Sequence, residues 1–156
     1  TSGQWVFDVY GAPPFNDYSD IKDCVCALGL KDKVVFHGQV RHKDIPGILL
    51  SSDCLILPRG NSLQNKYGFS TKLSEYAVSG TPVILTDTGV LKDYFQDGKN
   101  CLLVRGYSAE GFLEQMKRVM QMSDAEKAEI ASNAFQLAGR HFDYRLFTNS
   151  LSDFLR

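Results

Sequence analysis

Long apolar runs are missing from this sequence. No stretch approaches the roughly 18 consecutive apolar residues that a membrane-spanning helix requires, and no charged-then-apolar signal segment opens the chain. Net charge is nearly absent as well: 17 basic and 18 acidic side chains leave −1. That balance gives no bulk attraction to nucleic acid or to an anionic membrane. The four cysteines (Cys24, Cys26, Cys54 and Cys101) have neither zinc nor redox spacing. Cys24 and Cys26 would face different sides of a helix. Cys54 and Cys101 lie in apolar runs, where a buried thiol acts as a small hydrophobe. All four read as reduced, which favours a cytoplasmic setting. Repeats, low-complexity tracts and Pro/Gly-rich linkers are absent. So are the phosphate-binding pattern G-x-x-x-x-G-K-[ST] and the dinucleotide fingerprint G-x-G-x-x-G. His42 and His141 have no partner at metal or triad spacing, and no metal site is expected. The chain opens at Thr1 rather than Met, so it reads as a piece excised from something longer.

What is present is an ordinary globular composition, 44% hydrophobic and 22% charged over 156 residues, enough for one domain with a real core. Brief, continuously apolar or β-branched runs at 5–10, 33–37, 54–58, 82–86 and 101–104 predict buried parallel strands. Helical stretches separate them. One at 17–28 stops at Gly29, and one at 43–50 tolerates Pro46 only in its first turn. Another at 71–79 stops at Gly80, and 91–95 makes a single turn. Beyond Val104 the pattern is purely helical: 109–120, then Ser123-x-x-Glu126 as a capping box opening a helix to about Ala138, then 143–155. The alternation predicts an α/β fold, a Rossmann-like doubly wound parallel sheet with helices on both faces and a helical C-terminus. In such sheets ligands bind beyond the carboxyl ends of the strands, here the loops after Tyr10, His37, Pro58 and Thr86.

The most informative stretch is Tyr67-Gly68-Phe69-Ser70-Thr71-Lys72-Leu73-Ser74-Glu75-Tyr76, preceded by a loop over 59–66. Gly68 permits close approach of backbone to ligand. Ser70 is a candidate N-cap, leaving the amides of Thr71 and Lys72 free at a helix start suited to phosphate. Lys72 adds a full charge, and Glu75 could accept both hydroxyls of a ribose. A plain turn and cap, with Lys72 and Glu75 as an exposed ion pair, fits the same residues. Arg59 follows a strand end, where its charge could reach a phosphate or simply be solvated. His37 reads as a loop histidine satisfied by backbone, and Asp87 and Asp93 as loop-capping carboxylates. Phe135, Phe142, Phe147 and Phe154 suggest core or interdomain packing. Tyr144, Phe147, Leu151 and Phe154 form one apolar stripe, expected to lie exposed or under a neighbouring molecule.

A longer series of blocks runs from Val34-Val35-Phe36-His37-Gly38 through Ile45-Pro46 and 52–58 (SDCLILP). It continues through 72–84 (KLSEYAVSGTPVI), Thr86-Asp87-Thr88-Gly89 and 97–104 (DGKNCLLV). This order resembles the C-terminal, donor-binding domain of family 4 glycosyltransferases, one half of a GT-B fold. The resemblance implies that Gly68, Phe69, Ser70, Thr71, Lys72 and Arg59 hold the donor diphosphate and sugar, with Lys72 opposing the departing charge. It implies that Glu75 binds the ribose, and that Gly38, Val40, Arg41 and Pro58 frame the nucleobase.

The family pattern has two glutamates separated by seven residues; the first position here is Tyr67. Lys72 matches a subgroup with Lys-x-x-Glu-Tyr. An Arg and a Lys that clamp the diphosphate in the family belong to a strand expected before Trp5. Residues 1–156 are therefore expected to form a single nucleotide-sugar-binding domain, its acceptor-binding N-terminal partner lying elsewhere. The implied reaction is transfer of a sugar from a UDP-, GDP- or ADP-sugar to a hydroxyl, retaining and metal-independent, with no cofactor. Any peripheral membrane association would run through the missing half. A nucleotide-sugar epimerase and a non-catalytic nucleotide-binding or interaction domain are the rivals.

Overall fold

The computed structural model describes residues 5–11 and 19–155. The predicted helix at 17–28 thus begins outside the described residues. The chain divides into two compact units, Thr1–Ile45 and Pro46–Arg156.

In the first unit β1 (Phe7–Tyr10) pairs in parallel with β2 (Val34–Gly38), and α1 (Ser19–Ala27) comes between them in sequence. Gly29 ends α1 with φ of +68°, a left-handed conformation that L side chains resist. Its amide donates to the Cys26 carbonyl at 3.0 Å, and that of Leu30 to Val25 at 2.9 Å. The register slips between Val9 and Tyr10, so that Tyr10 faces Gly38. Both strands alternate half-buried and exposed, and no described side chain here is fully buried.

The second unit opens in α2 (Ile45–Leu50), which follows a 3-10 turn at His42–Asp44. Pro46 falls in the first turn, where its missing N–H costs nothing. The sheet is β3 (Leu55–Leu57), β4 (Val83–Thr86) and β5 (Leu102–Val104), all parallel in that order. Between β3 and β4 lie α3 (Leu63–Tyr67) and α4 (Thr71–Ala77), and α5 (Leu91–Tyr94) precedes β5. The chain finishes in α6 (Ala109–Gln121), α7 (Asp124–His141), a 3-10 turn at Tyr144–Phe147 and α8 (Thr148–Phe154).

β4 is buried along its whole length, as a central parallel strand must be. Ile84, Leu102 and Val104 meet Val119 of α6 and Ile130 of α7, with Phe112, Met116 and Met122 packed around them. The Ser123 capping box is present: the Ser123 hydroxyl accepts from the Glu126 amide, and the Glu126 carboxylate accepts from the Ser123 amide at 2.8 Å.

All five predicted strands appear, four of them trimmed by one or two residues and the one at 33–37 shifted by one to Val34–Gly38. Hydrogen bonding, however, places them in two parallel sheets, β1–β2 and β3–β4–β5. The last predicted helix starts as a 3-10 turn because the Asp143 carboxylate accepts from the Arg145 amide. The stripe of Tyr144, Phe147, Leu151 and Phe154 is exposed, Phe154 most of all at 85%. Phe135 is likewise exposed, whereas Phe142 packs among Phe69, Tyr94 and Phe95. No described helix is long and apolar enough to cross a membrane.

Candidate functional site

The segment after β3 is more ordered than a loop. Ser62 caps α3 by accepting from the Asn65 amide at 3.2 Å, and Gly68 closes it by donating to the Gln64 carbonyl at 2.8 Å. Five residues are too few for helical periodicity to register, so only the Ser62 cap could have betrayed this helix. Arg59 is fixed at both ends. Its carbonyl accepts from the hydroxyls of Thr86 (2.8 Å) and Thr88 (3.0 Å), and its amide donates to Thr86 Oγ1 at 3.2 Å. Its guanidinium donates through Nε (3.0 Å) and Nη2 (2.7 Å) to Asn65 Oδ1.

Gly68 has an internal reason to be glycine. A Cβ there would stand 2.5 Å from the Gln64 carbonyl oxygen, so the space it leaves belongs first to the chain itself. The same Cβ position is 3.9 Å from Arg59 Nη2, which sets the guanidinium beside the segment leading into α4.

α4 forms because Leu73 and Ala77 are buried on one face, with Tyr76 half-buried beside them. It ends where Ser79 Oγ donates to the Tyr76 carbonyl at 2.7 Å and Gly80 turns left-handed at φ +76°. Burial raises the Tyr76 hydroxyl above its ordinary value, with the Glu75 charge adding to it, so the phenol stays neutral.

Ser70 occupies the N-cap position, but its hydroxyl makes no capping bond. Its carbonyl instead accepts from Leu73 at 3.0 Å. The amides of Thr71 and Lys72 have no partner among the described residues. Lys72 and Glu75 are both exposed, and no ion pair joins them among the described residues. Tyr67 is 75% exposed, with Lys66 Nζ 5.5 Å from its ring centre. Phe69 leans on Phe142 at 4.9 Å between ring centres. The second unit therefore gathers Arg59, Gly68 and the start of α4 into one locality, while Pro58 is exposed after β3.

Gly38, Val40 and Arg41 belong to the first unit. Gly38 takes φ +70° and its carbonyl accepts from the Gly11 amide at 2.7 Å. Arg41 is already engaged, donating to both carboxylate oxygens of Asp44 at 2.7 and 3.3 Å. His37 differs from the expectation of a backbone-satisfied loop residue. It lies within β2, bonds Asp8 Oδ1 at 2.6 Å across the ladder and stacks on Tyr10 at 4.3 Å. Strand pairing sets Asp8 and His37 on one sheet face, a partnership invisible over 29 residues of sequence.

Asp87 and Asp97 act structurally, whereas Asp93, expected to cap a loop, is exposed within α5. Asp87 accepts from the Gly106 amide at 2.8 Å, as loop-capping predicts. Asp97 accepts from the Leu103 amide and from Arg118, a residue pair sequence reasoning did not single out. A shallow cavity of about 430 Å³ lies elsewhere, lined by Gly98, Arg118, Gln121, Met122, Glu126, Glu129 and Ile130. Its Arg118 is bound to Asp97 and its Glu126 to Ser123, and we place no chemistry there.

Comparison with known proteins bears on the family and the fold. The D-inositol 3-phosphate glycosyltransferase of Arthrobacter sp. (strain FB24) is 30% identical over 98 residues, covering 63% of this chain and 22% of that protein. The mannosylfructose-phosphate synthase of Agrobacterium fabrum is 32% identical over 92 residues, covering 59% of this chain and 19% of that protein. This chain thus spans about a fifth of the length of these relatives. The crystal structure of Anabaena Alr3699/HepE in complex with UDP superposes with a TM-score of 0.81 at 21% identity, over 97% of this chain and 40% of that one. That similarity establishes the α/β architecture of a GT-B glycosyltransferase. The family described as Glycosyl transferases group 1 matches residues 3–137, nearly the whole chain, and the chain belongs to that family.

Proposed function

We propose that this chain is the nucleotide-sugar-binding half of a glycosyltransferase that passes a sugar from a nucleotide donor to an acceptor hydroxyl. The observation that carries the proposal is the locality around Arg59, Gly68 and α4. A tethered guanidinium, two amides and the charge of Lys72, the last three unpaired among the described residues, stand at one end of α4, and Glu75, likewise unpaired there, lies one turn on. Cationic and amide donors suit a diphosphate, and a free carboxylate suits a ribose diol. The family match supports the reading, as does the likeness to a protein crystallised with UDP and with UDP-glucose.

In this reading residues 1–156 act as one donor-binding domain, the C-terminal half of a family 4 enzyme. Gly68, Phe69, Ser70 and Thr71 line the diphosphate and sugar, and Gly38, Val40, Arg41 and Pro58 serve the base. Transfer proceeds with retention and without metal, largely by stabilising the departing diphosphate, with Lys72 as the catalytic cation. The acceptor domain lies outside this chain, in a cytoplasmic protein, and any membrane contact is made through it. The length of the relatives and the exposed stripe of α8 agree with a missing partner domain.

Tyr67 favours a second reading, a domain that binds nucleotide without transfer, because a neutral ring stands where the family pattern has a glutamate. Calorimetry of the chain with UDP, GDP, ADP and their sugars tests the first step. Binding of one diphosphate in roughly the micromolar range, near −8 kcal/mol, supports the site. Binding of none sinks it. Transfer by the full-length protein, set against the same measurement on Tyr67→Glu, separates the two readings. Multiple turnover by this chain alone would refute the need for a second domain.

A further inference from the structure

Arg59 is held in an unusual way for a half-buried arginine. Among the described residues no carboxylate pairs with it; one neutral amide oxygen, Asn65 Oδ1, accepts from both Nε and Nη2. The orientation of that amide is determined, because its Nδ2 donates to the Gly60 carbonyl at 2.9 Å. Reversing it would set two donors against the guanidinium. Asn65 is itself braced. It sits on capped α3, and Gly89, at φ +63°, passes so close that a Cβ there would stand 2.4 Å from the Lys66 carbonyl and 2.9 Å from that of Asn65. The Arg59 backbone is pinned by Thr86 and Thr88, both buried.

The consequence is a guanidinium with full charge and one edge occupied. Nη1, and the second hydrogen of Nη2, have no partner among the described residues. An arginine fork matches the oxygens of a phosphate only when its plane is fixed, and a fixed side chain loses less freedom when ligand arrives. We propose that Asn65 is a positioning residue for Arg59, holding its Nε–Nη2 edge so that Nη1 and the second hydrogen of Nη2 meet the diphosphate of the donor. This rests on the reading of the site given above, and adds to it a residue that never touches ligand.

The test combines binding with one measurement made without ligand. UDP, GDP and ADP, and the corresponding nucleosides, are titrated calorimetrically into the parent, Asn65→Ala, Arg59→Lys, the double variant and Lys72→Ala. Arg59→Lys keeps the charge but removes the fork. Asn65→Ala is expected to weaken the preferred diphosphate roughly 2- to 10-fold, the range of a neutral hydrogen bond. Its nucleoside affinity should be unchanged, and it should cause no further loss once Arg59 is lysine. In the parent, the Arg59 Nε–H signal, identified by its disappearance in Arg59→Lys, should exchange with water more slowly than those of Arg105 and Arg140. That measurement needs no substitution at Asn65 and stands even if Asn65→Ala fails to fold.

Equal loss of nucleoside and diphosphate, or full loss on the Arg59→Lys background, would make Asn65 merely structural and overturn the inference. So would rapid exchange of the Arg59 Nε–H. If Lys72→Ala weakens the diphosphate while Asn65→Ala and Arg59→Lys do not, the site stands and the inference fails. If the parent binds no diphosphate, both fail.

Discussion

The two units use the same parallel pairing and reach opposite degrees of burial. In the first, β1 and β2 alternate half-buried and exposed; in the second, every residue of β4 is buried. Polar groups follow the same division. Asp8 and His37 face solvent on the first sheet and satisfy each other, whereas Thr86, at the end of β4, is fully buried and spends its hydroxyl on the Arg59 backbone. A two-stranded parallel ladder offers too little surface to bury both faces, while three strands covered by α6 and α7 close a core. The candidate site draws its fixed geometry from the closed core: Arg59 is held through Thr86 and Thr88, and α4 through Leu73.

Thiol chemistry offers the largest contrast. Burial pushes the Cys54 and Cys101 thiols in the second unit from 9.0 up to about 12, so below pH 9 each holds roughly a thousandth of the thiolate of a thiol at 9.0. Cys24 and Cys26 in the first unit are exposed. Alkylation followed by mass spectrometry should label Cys24 and Cys26 first, half-buried Cys54 more slowly, and buried Cys101 only through unfolding. Labelling of all four at one rate would break the comparison.

Packing comes next. Leu85→Ala, at a fully buried β4 position, should cost about 2–5 kcal/mol in denaturant unfolding. Val35→Ala, at a β2 position 37% exposed, should stay within about 0.5 kcal/mol. Amide exchange on the parent chain should be slower in β4 than in β1 by a corresponding factor.

Ligand binding sharpens the comparison further. Lys72→Ala in the second unit should weaken a nucleoside diphosphate by about 1.5–3 kcal/mol, roughly 10- to 150-fold, and the nucleoside hardly at all. Glu75→Ala should weaken both and blunt discrimination against a 2′- or 3′-deoxy analogue. Arg41→Ala in the first unit, whose guanidinium is already paired with Asp44, should change diphosphate affinity least. Unchanged affinity in both α4 variants would remove the site from α4.

The smallest effect is at a helix cap. Ser123→Ala should lower stability by about 1 kcal/mol, the usual worth of an N-cap. Hydrogen bonds from Ser123 hold the exposed Glu126 carboxyl below its ordinary range. A depressed carboxylate stabilises the fold above its unfolded pKa, and that share is lost as pH falls through the lower, folded value. The pH dependence of unfolding below about pH 4.5 should therefore be shallower in Ser123→Ala than in the parent.

Features set by near neighbours in the chain were readable without coordinates. The strands at 82–86 and 101–104 followed from apolar runs, the α7 start from Ser123 and Glu126, and the α1 end from Gly29. The run at Gly68–Glu75 was likewise legible as a helix start with a lysine and a carboxylate on its outer face. Contacts between segments far apart in sequence were not. The sequence indicated neither that Ser70 leaves its cap unmade nor that Gly68 is small to admit Gln64.

By itself, then, the sequence determined the five strands, the Ser123 cap and the helices other than α3, because those depend on periodicity and on groups a turn apart. Only the tertiary structure decided that Arg59 is clasped by Asn65, that Thr86 and Thr88 reach back 27 and 29 residues to pin it, and that Gly89 must lack a side chain. Those choices depend on which backbone carbonyls and hydroxyls the packed sheet brings within hydrogen-bonding distance, a matter of three-dimensional proximity that no local pattern records.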